Sequence, residues 1–387
     1  MQQAQRFDYI ILGAGAAGLS LLLRMLQQPA LSQKQILLID RSPKTSNDRT
    51  WCFWEQAPGF FEHLVHHQWP ALWVKHPNGA KALQMKGYTY KMIRGIDFYR
   101  HAFAQIKQAA NVQVVFAPVQ HVSVHEGVVT VQDIRYQAEH IFSSVLLQEP
   151  TLKPGQHYLL QHFKGWWIET ARPCFNPQEA DFMNFCTPQH HGAAFVYALP
   201  VSPTRALIEY TLFTPEPLTD AQYEEGLTRF INQQLTLSTG QYRITDMETG
   251  IIPMTNLRFP LQEGRVTYIG TAGGQTKAST GYTFQNIQKH SQAIVHRLTN
   301  GLPLPPPNTP ARYGFYDSVL LRILSERKPE GADVFYRLFT KNPATRLFKF
   351  LDSETAWWQE LALMATVQQG PFIKAAIQEL RLAAKNR

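Results

Sequence analysis

The feature that most constrains the fold is an apolar segment near the start of the chain that leads directly into a glycine-rich turn. Residues 7–12 are mostly apolar, and the sequence GAGAAG follows at residues 13–18. Residues 19–26 then have the composition of a helix, and residues 35–40 form a second apolar segment that ends in an acid. A strand, a glycine-rich turn, a helix and a second strand in this order predict a βαβ unit that binds a dinucleotide.

Each glycine of this turn has its own physical task. Gly13 permits a tight turn, Gly15 lets the backbone approach a pyrophosphate, and Gly18 lets the helix pack closely on the strand. The phosphates would lie over the amino end of the helix, and Asp40 would accept hydrogen bonds from ribose hydroxyls. A start this early in the chain favours FAD by analogy with two-domain flavoproteins, and the alternative is a glycine-rich turn in an unrelated α/β sheet. The residues predicted to bind the cofactor here are Gly13, Ala14, Gly15, Ala16, Ala17, Gly18, Asp40 and Arg41.

Length and pattern predict an α/β protein with two closely joined domains and a helical C-terminal region. The chain has 387 residues, whereas a usual domain has about 100–200. Residues 1–150 are predicted to form a Rossmann-like FAD-binding domain that includes a β-meander at residues 112–131 and is completed by residues 256–300. Residues 151–255 are strand-rich and predict an inserted antiparallel β-sheet that binds the substrate. Residues 301–387 predict a proline-rich linker followed by four helices.

Composition and charge restrict the partners and the compartment. The net charge is +8, but Lys and Arg are scattered and no nucleic-acid-binding motif accompanies them, so we expect no nucleic acid partner. Weak attraction to anionic lipid headgroups and ordinary solubilising charge are both consistent with this balance. The three cysteines and the histidines at 63–67 and 190–191 lack metal-ligand spacing, so we predict neither disulfides nor a metal site. No signal segment and no apolar run of about 18 residues is present, so we expect a cytoplasmic location.

Nucleotide-binding character returns in the last third of the chain. Residues 266–274 predict a strand that runs into small residues, and a helix follows from about residue 282 to residue 298. Such a return is expected when a flavin is held between distant chain segments, although a structural turn is the alternative. Thr271 stands where many flavoproteins have an Asp. The residues predicted to contact the flavin here are Gly270, Thr271, Gly273, Gly274, Thr280, Gly281 and Tyr282.

Several short segments, together with the glycine motif, resemble the bacterial flavoprotein lycopene β-cyclases. They are TWCFW (50–54), AFVYALP (194–200), ALIEYTLF (206–213), GIIPM (250–254), GTAGG (270–274), STGY (279–282), ARYGFYD (311–317) and LLRIL (320–324). They occur in the family's order and cover most of the chain. Two positions depart from the family pattern: Asn184 stands where an Asp is expected, and Ser143 where an Asp or Asn often precedes a Ser.

The resemblance implies cyclisation of the linear ψ ends of lycopene to β-ionone rings, through γ-carotene to β-carotene. It implies FAD in the reduced form as the cofactor, NADPH as the external reductant, and no net redox change. A proton added to the terminal alkene makes a tertiary carbocation, the neighbouring double bond attacks it, and loss of a proton ends the reaction. Such an enzyme needs an acid, a dry pocket, stabilisation of a buried cation and a base. Whether one or both ends are cyclised, and the oligomeric state, stay open.

The resemblance identifies Glu209 as the acid–base carboxylate. This residue lies in the apolar strand predicted at residues 206–213, where burial would raise the pKa of its carboxyl and keep it protonated near neutral pH. The alternative is an outward-facing glutamate, because side chains alternate along a strand. Whether Glu209 donates the first proton, removes the last one or mainly stabilises charge stays open. Glu169, at the end of another strand, is the weaker candidate for the base.

Aromatic residues are predicted to line the substrate path and to face the cation. An aromatic face attracts a cation by about 0.5–2 kcal/mol, more where water is excluded. Plain core packing is the alternative for each of them. The candidates are Trp51, Phe53, Trp54, Trp166, Trp167 and Tyr197.

The C-terminal helices have wide apolar faces beside basic residues. Together with the insolubility of a carotenoid, these faces predict a peripheral protein on the cytoplasmic membrane. The alternative is a set of helices packed over the substrate domain. The apolar residues concerned are Leu338, Phe339, Leu347, Phe348, Phe350, Leu351, Trp357 and Trp358.

Two rival functions share the predicted fold. An FAD-dependent monooxygenase or a prenyl-chain reductase has the same opening motif but consumes NADPH in proportion to product. A non-enzymatic carrier of prenyl lipids has the same two-domain plan, but the intact glycine motif and Asp40 argue against it.

Overall fold

The computed structural model describes residues 4–147, 151–153, 155–304, 310–328 and 330–385. Up to residue 143 the elements are β1 (Gln5–Leu12), α1 (Ala16–Leu26), β2 (Ile36–Asp40), β3 (Thr50–Glu55), β4 (His67–Trp69), β5 (Ala71–His76), β6 (Gly79–Leu83), β7 (Thr89–Arg94), α2 (Gly95–Gln108), β8 (Val112–Phe116), β9 (His121–Ser123), β10 (Val128–Val131) and β11 (Ile134–Ser143). The strands and helices that follow are β12 (Tyr158–Thr170), β13 (Glu179–Asn184), β14 (Ala193–Ser202), β15 (Arg205–Thr214), α3 (Asp220–Gln234), β16 (Tyr242–Thr255), β17 (Gln262–Glu263), β18 (Val266–Tyr268), α4 (Phe284–Thr299), α5 (Ala311–Glu326), α6 (Gly331–Lys341), α7 (Ala344–Leu351), α8 (Trp357–Met364) and α9 (Gln369–Lys385).

An eight-stranded sheet forms the nucleotide-binding domain. Its main path runs β17-β18-β11-β1-β2-β8, and the five strands from β18 to β8 are parallel. The second half of β1 and all of β2 are buried, which explains their continuous apolar sequence. Helix α1 begins directly after the glycine turn, so the predicted βαβ unit and the Rossmann-like fold are confirmed.

One strand of the predicted meander belongs to the parallel sheet instead. β8 pairs in parallel with β2, and Asp40 lies opposite Phe116. The meander therefore consists of β9, β10 and β11, which pair in antiparallel order. Helix α2 provides the crossover that a parallel pair requires, and the alternation of a single short strand does not reveal which neighbour it pairs with.

A seven-stranded sheet forms the second domain. Its order is β16-β12-β15-β14-β13-β5-β6, with every pair antiparallel except β13 and β5. The predicted antiparallel sheet is thus present, but β5 and β6 come from the region assigned to the first domain by sequence. A separate three-stranded sheet, β3-β7-β4, is formed by other strands of that same region.

The C-terminal helices cover one face of the seven-stranded sheet. Helix α6 contacts β5 and β14, and helix α5 contacts β12, β16 and α9. Phe339, Leu347 and Phe348 are buried in one apolar cluster with residues of β15. The packing alternative is therefore correct for α6 and α7, whereas Trp357 and Trp358 on α8 are 64% and 61% exposed.

Two further differences concern the C-terminal region. Helix α9 is absent from the sequence prediction, which ended its last helix at residue 367. The predicted linker at residues 302–310 lies partly outside the described residues. Within the described ranges, no helix has both the length and the apolarity that crossing a bilayer requires.

Candidate active site

Two glycines of the turn after β1 make contacts that tolerate no side chain. Gly13 has a φ of +98°, and a Cβ there would collide with the hydroxyl of Ser144. A Cβ on Gly18 would collide with the carbonyl oxygen of Gly13, whereas the space beside Gly15 is open. Close packing therefore requires glycine at residues 13 and 18, and Gly15 leaves room for a ligand to approach the backbone.

Asp40 stabilises this turn from the end of β2. The amide of Ala14 donates a hydrogen bond to Oδ2 of Asp40 at 2.7 Å, and the amide of Ser42 donates to Oδ1 at 3.1 Å. Lys44 forms an ion pair with the same carboxylate at 3.1 Å. The neighbouring Arg41 is exposed. Asp40, the predicted acceptor for ribose hydroxyls, thus also holds the backbone amide of Ala14 in the turn.

The second glycine segment meets the first at the carboxyl ends of the parallel strands. A single turn of 3₁₀ helix at Gly270–Gly273 follows β18, and a Cβ on Gly270 would lie 2.8 Å from Cβ of Ala17. The hydroxyls of Thr271 and Thr276 share a hydrogen bond at 3.1 Å. The amide of Gly281 donates to the carbonyl oxygen of Lys277 at 2.8 Å, which closes the loop. The structure thus brings together the two predicted cofactor segments.

This edge of the sheet fits a dinucleotide cofactor. The amino end of α1 and the open space beside Gly15 suit a pyrophosphate. The buried hydroxyl of Thr280 has no hydrogen-bond partner among the described residues, so it is free to serve a bound group.

Glu209 faces inward from β15. On this strand Leu207 and Phe213 pack into the cluster that includes Phe348 of α7, and Glu209 shares their alternation. The outward-facing alternative is therefore wrong. Thr211 donates a hydrogen bond to Oε1 of Glu209 at 2.9 Å.

A second carboxylate, Glu248 of β16, lies on the same face of the sheet. Gly165 of β12 pairs with Glu209 on one side and with Glu248 on the other. Glu248 is 4% exposed, and Oε2 accepts a hydrogen bond from Thr50 at 2.5 Å. Sequence reasoning missed this residue, because only the register of three strands places it beside Glu209.

The pKa values of both carboxyls are raised, and that of Glu209 is raised more. Burial, followed by the negative charge of Glu248, raises the pKa of Glu209 well above its usual range. Burial also raises the pKa of Glu248, although the Thr50 hydroxyl and Arg49 oppose this change. Such a pair can exchange a proton with a substrate near neutral pH.

Aromatic side chains surround this pair of acids. The hydroxyls of Tyr197 and Tyr282 lie 3.2 Å apart, and Tyr197 pairs directly with Glu209 across β14 and β15. The ring of Trp54 lies edge-on to Tyr282 at 4.7 Å and stacks on Phe348 at 4.9 Å. Trp54, Trp167 and Tyr197 therefore belong to the cluster on the Glu209 face.

Three of the aromatic candidates lie elsewhere. Trp51 and Phe53 alternate with Trp54 on β3 and pack against Phe284 in the core of the nucleotide-binding domain. Trp166 packs on the opposite face of the seven-stranded sheet, against α3. Alternation along each strand separates them from Glu209.

Other charged residues have roles that the sequence did not indicate. Glu169 forms an ion pair with Arg243 at 2.7 Å near the surface, so it does not belong to the acid cluster. Asp352, at the end of α7, accepts a hydrogen bond from the Trp54 indole at 2.9 Å, and burial raises its pKa to about 6. Lys277 and Asp317 form a buried ion pair at 2.7 Å that ties the second glycine segment to α5.

Comparisons with known proteins agree with this architecture. The model of the family described as "Lycopene cyclase protein" matches residues 8–377. A lycopene beta-cyclase of Pantoea ananas is 27% identical over 291 residues, which cover 72% of this chain and 71% of that protein. A lycopene beta-cyclase of a Paracoccus species is 27% identical over 215 residues, which cover 54% of this chain and 51% of that protein.

Solved structures share the fold at low sequence identity. A geranylgeranyl bacteriochlorophyll reductase-like protein of Thermoplasma acidophilum has a TM-score of 0.59 at 13% identity and covers 99% of each chain. The flavin-dependent brominase Bmp2 has a TM-score of 0.62 at 11% identity and covers 99% of this chain and 100% of its own. These similarities establish the α/β fold alone.

Proposed function

The chain belongs to the lycopene cyclase protein family, and we propose that it is a lycopene β-cyclase that converts the ψ ends of lycopene to β-ionone rings without net redox change. The observation that carries this proposal is the inward-facing Glu209 on the sheet face that packs against the aromatic cluster. Its raised pKa supports a carboxyl that holds a proton near neutral pH.

The proton would move between Glu209 and the substrate. The carboxyl of Glu209 donates a proton to the terminal double bond, and the resulting tertiary carbocation is attacked by the neighbouring double bond to close the ring. The ring then loses a proton from the adjacent carbon, and the carboxylate of Glu209 is the base. One proton enters and one leaves, so the product is an isomer of the substrate. Glu209 thereby serves both as the acid of the first step and as the base of the last.

The aromatic cluster would stabilise the cation and exclude water. Tyr197, Tyr282 and Trp54 lie around the acid, and each ring face attracts a cation by about 0.5–2 kcal/mol. Burial raises the pKa of both tyrosines, so they stay neutral hydroxyls. A cation that forms here meets ring faces and carboxylates and no competing base from bulk water.

The two glycine segments would hold FAD. When bound in its reduced form, FAD supplies an electron-rich ring that favours nearby positive charge, which explains the need for a flavin in a reaction without net redox change. NADPH is the proposed reductant. The residues that would hold FAD are those of the turn at 13–18, Asp40, and the loop from Gly270 to Tyr282.

The proposed location is the surface of the cytoplasmic membrane, reached through α8. Trp357, Trp358 and Leu361 are 64%, 61% and 56% exposed on this short helix. Adjacent exposed indoles suit the boundary between headgroups and acyl chains. A lycopene molecule dissolved in that bilayer would then have a short path to the enzyme.

The test is anaerobic incubation of the protein with FAD, NADPH and lycopene in liposomes, followed by pigment chromatography. We expect γ-carotene and β-carotene, with NADPH consumed only to reduce the flavin once. NADPH consumption in proportion to an altered prenyl lipid would instead support the reductase or monooxygenase alternative. A protein that retains no flavin and changes no lipid would support the carrier.

A further inference from the structure

Three neighbouring strands bring Glu248, Gly165 and Glu209 into one row. Gly165 of β12 is the direct partner of both glutamates. A Cβ at residue 165 would lie 3.2 Å from Cγ of Glu248, 3.6 Å from Cβ of Glu209 and 3.0 Å from Leu207. Both acidic side chains thus approach the space above this glycine, which any side chain would partly fill.

Neither carboxylate has a basic partner in the described part of the chain. The ion pairs found there include neither Glu209 nor Glu248. The guanidinium of Arg49 instead donates to the carbonyl oxygen of Thr249 at 3.0 Å. Oε1 of Glu248 is buried and lacks a hydrogen-bond partner among the same residues. Two neighbouring acids that have no ion-pair partner cannot both ionise at low cost.

Neighbouring groups stabilise the ionised form of Glu248 more than that of Glu209. Thr50 donates to Oε2 of Glu248, and Arg49 on the same segment favours its ionised form. Glu209 receives one hydrogen bond, from Thr211. Glu248 therefore carries the negative charge more readily, and the shared proton resides mainly on Glu209.

The other titratable groups that face the pair remain neutral. These are Cys52 and Tyr90 on the β3-β7 side, and Tyr197 and Tyr282 on the aromatic side. Burial raises the pKa of all four, so none of them ionises near neutral pH. Asp246 of β16 and Arg49 complete the charged neighbours, with opposite signs.

We propose that Glu248 and Glu209 form a carboxyl pair with one shared proton, in which the charge of Glu248 keeps Glu209 protonated as the acid. Glu248 is a positioning residue in this arrangement, because it acts through Glu209. Once the proton has moved to the substrate, both carboxylates are ionised and attract the cation. Return of a proton from the ring to Glu209 restores the pair. This inference rests on the proposed cyclase function for its catalytic meaning, whereas the shared proton is a property of the protein itself.

The primary test compares wild type with Glu248→Gln, which removes the charge and keeps an oxygen for the Thr50 hydroxyl. Without the neighbouring charge the pKa of Glu209 falls, so activity is lost at lower pH as the pH rises. We expect the alkaline limb of the pH–rate profile to move down by about one unit or more, which is about tenfold in rate at a fixed pH on that limb. Glu169→Gln, which alters a partly exposed glutamate on the adjacent β12, is the matched control and leaves the profile unchanged.

Thr50→Val supplies a second, smaller change of the same sign. Loss of its hydroxyl removes a donor that favours the ionised form of Glu248. Glu248 then carries less negative charge at a given pH, so Glu209 loses its proton more easily and the alkaline limb moves down. This variant also keeps the test decisive if Glu248→Gln does not fold. A limb that stays in place in both variants, or a uniform loss of rate at every pH, overturns the proposal in favour of a purely structural Glu248.

Infrared spectroscopy of the protein without substrate separates this inference from the proposed function. The carbonyl stretch of a protonated carboxylic acid should persist above neutral pH in wild type, disappear in Glu209→Gln, and titrate at lower pH in Glu248→Gln. If that band behaves as expected but no cyclised pigment forms, the pair exists and the proposed function fails. If pigment forms but no such band is present, the function stands and the shared proton is refuted.

Discussion

The two faces of the seven-stranded sheet differ in whether their ionisable side chains have partners. On the face covered by α3, His162 of β12 bonds to the Thr214 hydroxyl at 2.6 Å and to the Tyr223 hydroxyl at 2.5 Å. Lys164 on the same face forms ion pairs with Glu224 at 2.7 Å and Asp220 at 3.3 Å. The ring nitrogens of His162 and the ammonium of Lys164 thus all have partners.

The face covered by α6 and α7 leaves its charges unbalanced. Glu209 and Glu248 lie on that side without a basic partner in the described residues. The same strand, β12, places the hydrogen-bonded His162 on one face. On the other face it places Gly165, which has no side chain, between the two acids. Alternation therefore lets one sheet combine a stabilising face with a reactive face, and the reactive face is where two carboxyls lack an ion-pair partner.

The largest effect expected is the loss of activity in Glu209→Gln. The substitution keeps size and hydrogen bonding but removes the acid, and a positioned general acid or base contributes about 10²–10⁴-fold to a rate. We expect β-carotene formation to fall by that factor while FAD stays bound. Pigment chromatography under single-turnover conditions measures the change.

Glu169→Gln is again the control, since this glutamate pairs with Arg243 outside the cluster. It should keep its full rate. If Glu209→Gln keeps more than about one tenth of the wild-type rate, Glu209 is not the catalytic acid or base. The proposed difference between a stabilising and a reactive sheet face would then be wrong.

The acid face should make the stability of the protein depend on pH. The folded-state pKa values of Glu209 and Glu248 are raised, so their contribution is fully present below the usual glutamate pKa and is lost as pH rises through the folded values. A difference of one pKa unit between the folded and the unfolded protein corresponds to about 1.4 kcal/mol of stability. Wild type should therefore lose stability as the pH rises through the neutral range.

The double variant Glu209→Gln, Glu248→Gln isolates this effect. Its free energy of unfolding should vary less with pH over the same range and exceed that of wild type at alkaline pH. Urea titrations at matched pH values measure both. Parallel curves for wild type and the double variant would mean that the two carboxyls ionise normally in the folded protein.

The α3 face should respond in stability and not in catalysis. Tyr223→Phe removes the hydroxyl that bonds to His162, which is fully buried, and an unsatisfied buried nitrogen costs about 1–3 kcal/mol. We expect the free energy of unfolding in urea to fall by that amount while the pH–rate profile of the folded enzyme stays unchanged. A displaced alkaline limb in Tyr223→Phe would show that the faces are coupled through the sheet.

Sequence patterns predicted the cofactor edge better than the acid face, for a physical reason. The turn at 13–18 and Asp40 lie within one βαβ unit, where local spacing fixes geometry, and the structure joins them by the bond from Ala14 to Asp40. Glu209 was identified by family resemblance, and alternation alone left its direction undecided. The position of Glu248 beside Glu209 depends on the register of β12, β15 and β16. Loops of variable length determine this register, and no local sequence pattern indicates it.

The same limit explains the misplaced elements. β8 has the alternation of a meander strand, and its parallel partner becomes evident only once α2 is recognised as a crossover. The apolar faces of α6 and α7 were equally consistent with a bilayer and with a sheet, and Phe348 is completely buried against the latter. A hydrophobic helix face indicates that something covers it, but it does not indicate what.

The smallest effect expected concerns α8, which lies outside both faces of the sheet. Trp357→Ala combined with Trp358→Ala should weaken binding to liposomes by about tenfold, because apolar surface contributes on the order of 25 cal/mol for each Å² that leaves water. Activity on lycopene presented in detergent should stay at the wild-type level, since neither indole belongs to the buried cluster around Glu209. Phe116→Ala, which removes a 40% exposed ring from β8, is the matched control and should bind liposomes normally. Equal binding of wild type and the double tryptophan variant would exclude α8 as the membrane contact while leaving the contrast between the two sheet faces intact.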